Sequence, residues 1–173
     1  KWIDDSKLEN RICTDENQYL FVSGSHDETA IVWKWNSKTN EVHYVFSCRG
    51  HCRSVDCIDV HNDLILTGSY DQMLKIWSLN KQQNEAEAEA ENPQEHSSSR
   101  KKFKKNNNEE SNKSKINVPI MTLSGHSEAI TGCVWMNSIQ DEITEIASCS
   151  MDNTIRLWDI EVKECKRILK GSK

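Results

Sequence analysis

The 173-residue sequence contains no run of more than four consecutive apolar residues. The longest such runs are Tyr19–Val22, Ala30–Trp33 and Cys133–Met136. A membrane-spanning helix needs roughly 20 apolar residues, so none is predicted and we expect no membrane partner. A basic segment followed by an apolar stretch is also missing at the start, so we predict no secretory signal.

Cysteine pairs in short spacing are missing too. The seven cysteines are an odd number and form no Cys-x-x-Cys pair, which argues against a disulfide framework and against a zinc ribbon. The densest group, Cys48, His51, Cys52, Cys57 and His61, has spacings that resemble no structural zinc site. We therefore predict no metal and no cofactor.

Basic residues do not dominate the charge of the chain. The 22 Lys and Arg residues are outnumbered by 27 Asp and Glu residues, which gives a net charge of −5. A protein whose whole surface binds nucleic acid is normally basic, so this class of protein is disfavoured.

The sequence does contain an internal repeat. The segments Leu20–Trp33, Leu64–Trp77 and Glu145–Trp158 align without gaps, and each has Ser-x-Asp followed by a Trp six residues after the Asp. Gly50-His51 and Gly125-His126 precede two of them. This pattern resembles the WD40 repeat, which has about 40–45 residues per propeller blade. The resemblance implies an all-β fold, a partial WD40 β-propeller with about three four-stranded blades of a probable seven-bladed ring.

The spacing of the repeats reveals an insertion. Trp33 and Trp77 are 44 residues apart, whereas Trp77 and Trp158 are 81 apart. Most of the excess lies in 81–117, a charged segment with almost no apolar residues, so it cannot offset its ordering entropy and we predict no fixed structure there. The predicted units are most of one blade in 1–48, a second blade in 49–80 plus 118–124, the insertion in 81–117, and a third blade in 125–173.

Strand bounds follow from apolar periodicity and turn residues. In the third blade we predict strands over Ile130–Met136, Glu145–Ser150, Thr154–Trp158 and Val162–Leu169. The outer strand of the second blade is predicted at Pro119–Leu123, after the insertion. Proline is tolerated at the first residue of an edge strand.

The WD40 resemblance also implies a buried hydrogen-bonded chain of Trp, Ser, His and Asp in each blade. A hydrolase triad would use the same residue types, but an active site does not need one copy per blade, so we predict a structural role and no enzyme. The first blade's His would lie before Lys1. The residues concerned are Trp77, Ser69, His51 and Asp71 in the second blade, Trp158, Ser150, His126 and Asp152 in the third, and Trp33, Ser25 and Asp27 in the first.

Candidate partner-binding residues lie beside these turns. The residue before each turn Asp is not fixed by the buried chain, and it is His26, Tyr70 or Met151. Arg53 and Glu128, which follow the two Gly-His pairs, are predicted at the same rim of the propeller, the edge where these turns lie. Tyr and Arg are frequent anchors of protein interfaces. The alternative is that all five are ordinary exposed turn residues.

A basic cluster lies in the insertion. It consists of Arg100, Lys101, Lys102, Lys104 and Lys105, and Lys101–Lys104 fits a short nuclear import signal. Three interpretations stay open: nuclear import, non-specific contact with RNA phosphates, and a solubilising run that balances the neighbouring acidic stretch.

Longer segments narrow the family. Cys48–His51, Gly68–Ser78, Pro119–Ala129, Met151–Asp159 and Leu169–Lys173 resemble the WD-repeat ribosome-biogenesis factors of the PeBoW complex. The resemblance implies a nucleolar role in large-subunit ribosomal RNA processing, exercised through protein contacts. The implied partners are pescadillo and block-of-proliferation family proteins and pre-60S particles, in the nucleus, nucleolus and nucleoplasm.

The same family implies an N-terminal ubiquitin-like domain that docks on an AAA+ ATPase. The sequence covers no such domain, so this docking is not carried over. Two repeats also depart from the Trp-Asp ending, because Trp33 is followed by Lys34 and Trp77 by Ser78. Those two positions lie outside the implied hydrogen-bonded chain.

Three blades are too few for a ring of four to eight, so we expect the chain to be part of a longer propeller. A second function stays open. A WD-repeat substrate receptor of a ubiquitin ligase, or another nuclear scaffold, would have the same blades. Co-purification of cullin components in place of pescadillo would favour it.

Overall fold

The structure is a computed structural model that describes residues 1–3, 15–80, 83–84, 115–136 and 145–171. Within these ranges all fourteen regular elements are β-strands. None of the described residues belongs to a helix long and apolar enough to cross a membrane. The strands are β1 (Trp2–Ile3), β2 (Gln18–Gly24), β3 (Ala30–Asn36), β4 (Glu41–Cys48), β5 (Val55–His61), β6 (Leu64–Ser69), β7 (Leu74–Ser78), β8 (Gln83–Asn84), β9 (Lys115–Asn117), β10 (Met121–Leu123), β11 (Ile130–Met136), β12 (Glu145–Ser150), β13 (Thr154–Asp159) and β14 (Glu164–Lys170).

The strands form three antiparallel blades that follow one another along the chain. Blade 1 has the order β1-β2-β3-β4, blade 2 the order β5-β6-β7-β10, and blade 3 the order β11-β12-β13-β14. The predicted all-β fold, a partial propeller of four-stranded blades, is confirmed. Among the described residues these blades do not close into a ring.

The cores lie between the blades. Leu20, Val22 and Val32 of blade 1 pack with Ile65 and Trp77 of blade 2 in one cluster of buried side chains. A second cluster joins blades 2 and 3 and contains Leu66, Leu74, Ile76, Ile130, Trp135, Ile146 and Trp158. Burial of apolar area between sheets therefore holds the arc of blades together.

Blade 2 is covered on both faces. Ile65 and Leu66 are neighbours on β6 whose side chains point to opposite faces, and both are fully buried. A strand covered on both sides has no need of a polar face, which accounts for the continuous apolar run from Leu64 to Leu66.

The face of blade 1 directed away from blade 2 carries aromatic rings. Trp2 lies 5.4 Å from Phe21 between ring centroids, and Phe21 stacks on Trp33 at 6.4 Å. Tyr19 and Trp35 extend this row at a centroid distance of 5.6 Å. Trp2 is 60% exposed, so the row forms an apolar surface in the described structure.

The prediction that 81–117 has no fixed structure is wrong at both ends of this segment. Strand β9 pairs in parallel with β4 through Ser47 and Ile116, and antiparallel with β8. The outer strand of blade 1 has unpaired backbone groups, which β9 satisfies. Such pairing needs no apolar side chains, so composition did not reveal it. The rest of the insertion lies outside the described residues.

Strand bounds were predicted closely in blade 3. Ile130–Met136 and Glu145–Ser150 are confirmed as predicted. The third strand extends one residue further, to Asp159, and the outer strand is Glu164–Lys170. The outer strand of blade 2 was placed too early, because it begins at Met121. Pro119 therefore precedes the strand.

Candidate functional site

A buried hydrogen-bonded chain crosses blade 2. His51 Nδ1 lies 2.8 Å from Asp71 Oδ2, and His51 Nε2 lies 2.8 Å from Thr67 Oγ1. The Trp77 indole N–H donates to the same Thr67 hydroxyl at 2.9 Å. These hydrogen bonds join the turn before β5, the strands β6 and β7, and the turn between them. Each polar side-chain atom that takes part in them thus has a partner.

Blade 3 repeats the arrangement. His126 Nδ1 lies 2.8 Å from Asp152 Oδ2, and His126 Nε2 lies 2.8 Å from Ser148 Oγ. The Trp158 indole N–H donates to Ser148 Oγ at 2.8 Å. Two blades therefore hold the same four kinds of group, an indole, a hydroxyl, an imidazole and a carboxylate, in the same geometry.

The serines predicted for these chains are wrong. Thr67 and Ser148 take the places expected for Ser69 and Ser150, and in blade 1 the Trp33 indole donates to Ser23 Oγ at 2.8 Å in place of Ser25. In all three blades the true hydroxyl lies ten residues before the Trp. That spacing is visible in the sequence, but the predicted serines lie at an equally constant eight residues before the Trp, so spacing alone does not select the hydroxyl.

Strand register explains this correction. Trp77 pairs with Ile65, so its indole reaches Thr67, the diagonal neighbour two residues along β6. Ser69 lies four residues from Ile65, about 13 Å along the strand, beyond the reach of the indole.

The predicted serines close the turns. Ser69 Oγ accepts from the Asp71 backbone N–H at 3.0 Å, and Ser150 Oγ accepts from that of Asp152 at 3.1 Å. Ser25 Oγ does the same for Asp27 at 3.2 Å. The Ser-x-Asp pattern therefore specifies a turn, because a small hydroxyl side chain can accept a backbone N–H two residues on.

Burial and hydrogen bonding set the charges in blade 2. Burial lowers the pKa of His51 and outweighs the opposing effect of its bond to Asp71, so the imidazole is neutral at pH 7. Burial opposes ionisation of Asp71, but hydrogen bonds from the Cys52 backbone, His51 and the Met73 backbone hold its pKa below the ordinary value. A neutral His51 donates from Nδ1 to the carboxylate and accepts from Thr67 at Nε2.

The aspartates of the other turns are also ionised. In blade 3, burial opposes ionisation of Asp152, but hydrogen bonds from Thr154, His126 and the Ser127 backbone hold its pKa well below the usual range. In blade 1, the hydroxyl of Thr29, 2.6 Å from Asp27, is the main cause of the lowered pKa of Asp27.

The glycine of each Gly-His pair is needed for its backbone conformation and for its lack of a side chain. Gly50 has a φ of 148° and Gly125 a φ of 158°, values that favour glycine. A Cβ on Gly125 would lie 3.1 Å from the Trp158 ring and 2.8 Å from an Arg156 nitrogen. Glycine therefore allows the loop to pass directly over the indole, which brings the following His into the buried chain.

The rim residues separate into two groups. His26, Arg53 and Tyr70, together with Ser54, line a surface depression of about 310 Å³ where the turns of blades 1 and 2 meet. The Arg53 guanidinium carbon lies 5.9 Å from the centroid of the Tyr70 ring. Glu128 and Met151 lie on the corresponding turns of blade 3 and do not line it. Sequence reasoning missed Ser54, although it directly follows Arg53.

The sequence contains two other candidate groups of residues, the Cys/His group and the basic cluster. No group of three or more His, Cys, Asp or Glu side chains in the described ranges could hold a metal ion. His51, the central member of the Cys/His group, is bonded to Asp71 and Thr67. The candidate import residues Arg100, Lys101, Lys102, Lys104 and Lys105 lie outside the described residues.

The three blades, with the His–Asp pairs of blades 2 and 3, have the architecture expected for a segment of a WD40 β-propeller. Residues 42–78 and 117–159 match the WD40 family, described as WD domain, G-beta repeat. The second and third predicted repeats, Leu64–Trp77 and Glu145–Trp158, are thereby confirmed as WD40 repeats.

Comparison with individual curated proteins narrows the similarity to one kind of WD-repeat protein. The chain is 45% identical over 162 residues to the Ribosome biogenesis protein WDR12 homolog of Ixodes scapularis, 37% identical to that of Anopheles gambiae and 35% identical to that of Drosophila erecta. These alignments cover 94% of this chain and 36%, 34% and 33% of the respective relatives. The chain thus spans about a third of the length of the relatives it matches. The predicted resemblance to WD-repeat ribosome-biogenesis factors is confirmed as a similarity.

Proposed function

We propose that the chain is part of a non-enzymatic WD-repeat scaffold in ribosome biogenesis. In this role it supports pre-rRNA processing and maturation of the large (60S) subunit through protein–protein contacts. The observation that carries the proposal is the 45% identity to a relative named as a ribosome biogenesis protein, over 94% of the chain and hence across all three blades.

The geometry of the conspicuous polar residues supports the scaffold part of the proposal. The hydroxyl, imidazole and carboxylate groups of blades 2 and 3 bond to one another and to an indole inside the sheet. Their role in this arrangement is to fix the turns. A fixed turn presents its remaining side chains in constant positions, which is what a binding surface requires.

The proposed partners are pescadillo and block-of-proliferation family proteins and pre-60S particles. The proposed location is the nucleus, with the nucleolus and nucleoplasm as its compartments. The support for both is the resemblance of Gly68–Ser78, Pro119–Ala129 and Met151–Asp159 to factors of the PeBoW complex. Nuclear import by Lys101–Lys104 is a further part of the proposal.

Gradient sedimentation of nuclear extract tests the function. The epitope-tagged full-length protein is expected to sediment with pre-60S particles, and its depletion should raise large-subunit precursor rRNA and lower free 60S subunits. An unrelated WD-repeat protein of the cytoplasm is the matched control. Co-purification of cullin components with no pre-60S association would replace the proposal with the ubiquitin-ligase alternative.

A further inference from the structure

The depression lined by His26, Arg53, Ser54 and Tyr70 bridges two blades. The Val55 backbone N–H donates to Ser25 O at 3.0 Å, which joins blade 2 to the turn of blade 1 beside His26. The Tyr70 backbone N–H donates to Ser54 O at 2.9 Å, which ties the two turns of blade 2 together. The walls of the depression are therefore held in place by backbone hydrogen bonds.

Arg53 supplies the positive charge of the depression. Its backbone carbonyl accepts from Ser69 Oγ at 3.2 Å, and its guanidinium lies over the Tyr70 ring. Among the described residues it pairs with no carboxylate. A guanidinium stacked on an aromatic ring keeps its N–H donors in a fixed plane, ready for an anionic partner.

Two carboxylates neighbour residues that line the depression. Asp56 is hydrogen-bonded to the hydroxyl of Ser54, and Asp27, next to His26, accepts from Thr29. Both aspartates are exposed. A ligand with one negative charge can pair with Arg53 and meets less repulsion from the aspartates than a phosphate dianion or an RNA strand does.

The volume of the depression also favours a single side chain as its ligand. Ligand sites commonly have volumes of roughly 300–1,000 Å³. At about 310 Å³ the depression is at the lower end of this range, which suits one protein side chain with its hydration.

We propose that the depression binds the carboxylate of an Asp or Glu side chain on a partner protein. Arg53 pairs with the carboxylate, Tyr70 packs against the aliphatic part of the acidic side chain, and His26 adds a hydrogen bond at its edge. The proposal rests on the scaffold function proposed above and assigns a chemistry to its partner.

Nuclear magnetic resonance of the isotope-labelled full chain tests this site directly. The probe is the peptide acetyl-Ser-Gly-Glu-Gly-Ser-amide, which carries one negative charge, and the control is its amide counterpart, acetyl-Ser-Gly-Gln-Gly-Ser-amide. The acidic peptide should shift the Arg53 Nε–H signal and the backbone signals of His26, Ser54 and Tyr70. The amide peptide should leave them in place.

Variants sharpen the test. Arg53→Gln should weaken binding of the acidic peptide about tenfold or more, since it removes a charge-assisted pair. Arg167→Gln, which removes the same charge from the exposed strand β14 of blade 3, should bind as tightly as wild type. Tyr70→Phe should retain binding because it keeps the ring, whereas Tyr70→Ala should weaken it. A thermal melt of each variant shows that the fold is intact.

Three results would overturn the inference. They are equal shifts with the amide peptide, unchanged binding by a folded Arg53→Gln variant, and shifts of the same signals by inorganic phosphate or an oligouridylate at lower concentrations than the acidic peptide.

Co-purification tests this inference, and sedimentation tests the proposed function, so the two can fail separately. Arg53→Gln combined with Tyr70→Ala, in the full-length protein, should reduce recovery of the block-of-proliferation partner. Undiminished recovery would overturn only the inference. Failure of the wild-type protein to sediment with pre-60S particles would overturn the proposed function, whatever the peptide titration gives.

Discussion

The hydroxyl of Thr67 serves two side chains of blade 2. It accepts from the Trp77 indole and faces Nε2 of His51, and Thr67 itself is fully buried. Thr67→Val keeps the size of the side chain and removes the hydroxyl. Each buried polar group left without a partner destabilises by roughly 1–3 kcal/mol, so we expect a lower melting temperature.

Differential scanning calorimetry measures this loss, and Thr67→Ser is the matched control. Blade 3 has Ser148 at the corresponding position, so the serine variant keeps the hydrogen bonds and should lose only the contribution of one buried methyl group, about 0.8 kcal/mol. A melting temperature of Thr67→Val equal to that of Thr67→Ser would contradict the assignment of Thr67 to the buried chain.

The imidazole of His51 makes the stability of the fold pH-dependent. Burial lowers its pKa in the folded state, whereas an unfolded histidine titrates near 6.5. Below about pH 6.5 the unfolded chain therefore binds more protons than the folded one, and the free energy of unfolding falls as the pH falls. The lowered pKa values of Asp71 and Asp152 add a further loss only below about pH 4.

Urea unfolding at pH 7.5 and pH 5.5 tests this dependence. His51→Gln should lower stability at pH 7.5 and reduce the difference between the two pH values. His43→Gln changes an exposed histidine on β4 and should leave that difference as in wild type. The same pH difference in His51→Gln and wild type would show that His51 is not the source.

Among the hydrogen-bonded residues of blade 2, the sequence predicted three correctly and misassigned the hydroxyl. Trp77 and Asp71 were predictable because their spacing of six residues recurs in blade 3, and His51 because a Gly-His pair precedes both repeats. The hydroxyl was misassigned because Ser recurs without exception at the turn, as in Ser69, whereas the true position varies between Ser and Thr. Only the register of β6 and β7 distinguishes the two positions.

The strands β8 and β9 enlarge blade 1 to six strands. Asn117, at the end of β9, is buried, and its side-chain amide donates to Ser78 O at 2.5 Å. Its backbone carbonyl accepts from the Arg49 N–H at 3.1 Å. Strand β9 is thus bonded to the end of β7 as well as to β4, and it connects blades 1 and 2 at their outer edge.

Two deletions separate the roles of the insertion. Replacing residues 86–112 with a short Gly-Ser linker keeps β8 and β9, and loop-closure entropy changes little with length, so the melting temperature should stay within error of wild type. Deleting 83–117 removes both strands and should lower it, because β4 and Ser78 lose their partners. Equal melting temperatures for the two deletions would contradict a structural role of β9.

Element types and their order could be predicted because each blade repeats one apolar pattern. The pairing of β9 with β4 could not be predicted in this way. It depends on backbone groups, which every residue carries, and Ile116 is the one apolar residue among its three positions.

Asp59 connects all three blades. The residue lies on β5 of blade 2 and is buried. Its Oδ2 accepts from the Trp135 backbone N–H of blade 3 at 2.9 Å, and its Oδ1 lies 3.0 Å from Lys1 Nζ beside blade 1. No repeat pattern marks Asp59, so this role could not be predicted from the sequence.

Asp59→Ala should weaken the contact between blades 2 and 3. The variant leaves the buried Trp135 N–H without its partner, which destabilises by roughly 1–3 kcal/mol. Hydrogen exchange should accelerate along β11, where Trp135 lies, more than along β14 on the outer edge. Asp63→Ala, at the turn between β5 and β6, is the control. Uniform acceleration in both strands would contradict a local role for Asp59.

The interruption of blade 2 affects the order in which the chain can fold during synthesis. Strand β7 ends at Ser78, and β10, its neighbour in the sheet, begins only at Met121. At about 5–20 residues per second, a ribosome needs on the order of seconds to make the intervening segment. During that interval blade 2 has three strands, and the edge of β7 is open to any strand nearby. Because β9 emerges just before β10 and attaches beside the end of β7, it holds the nascent chain next to the edge that β10 must occupy.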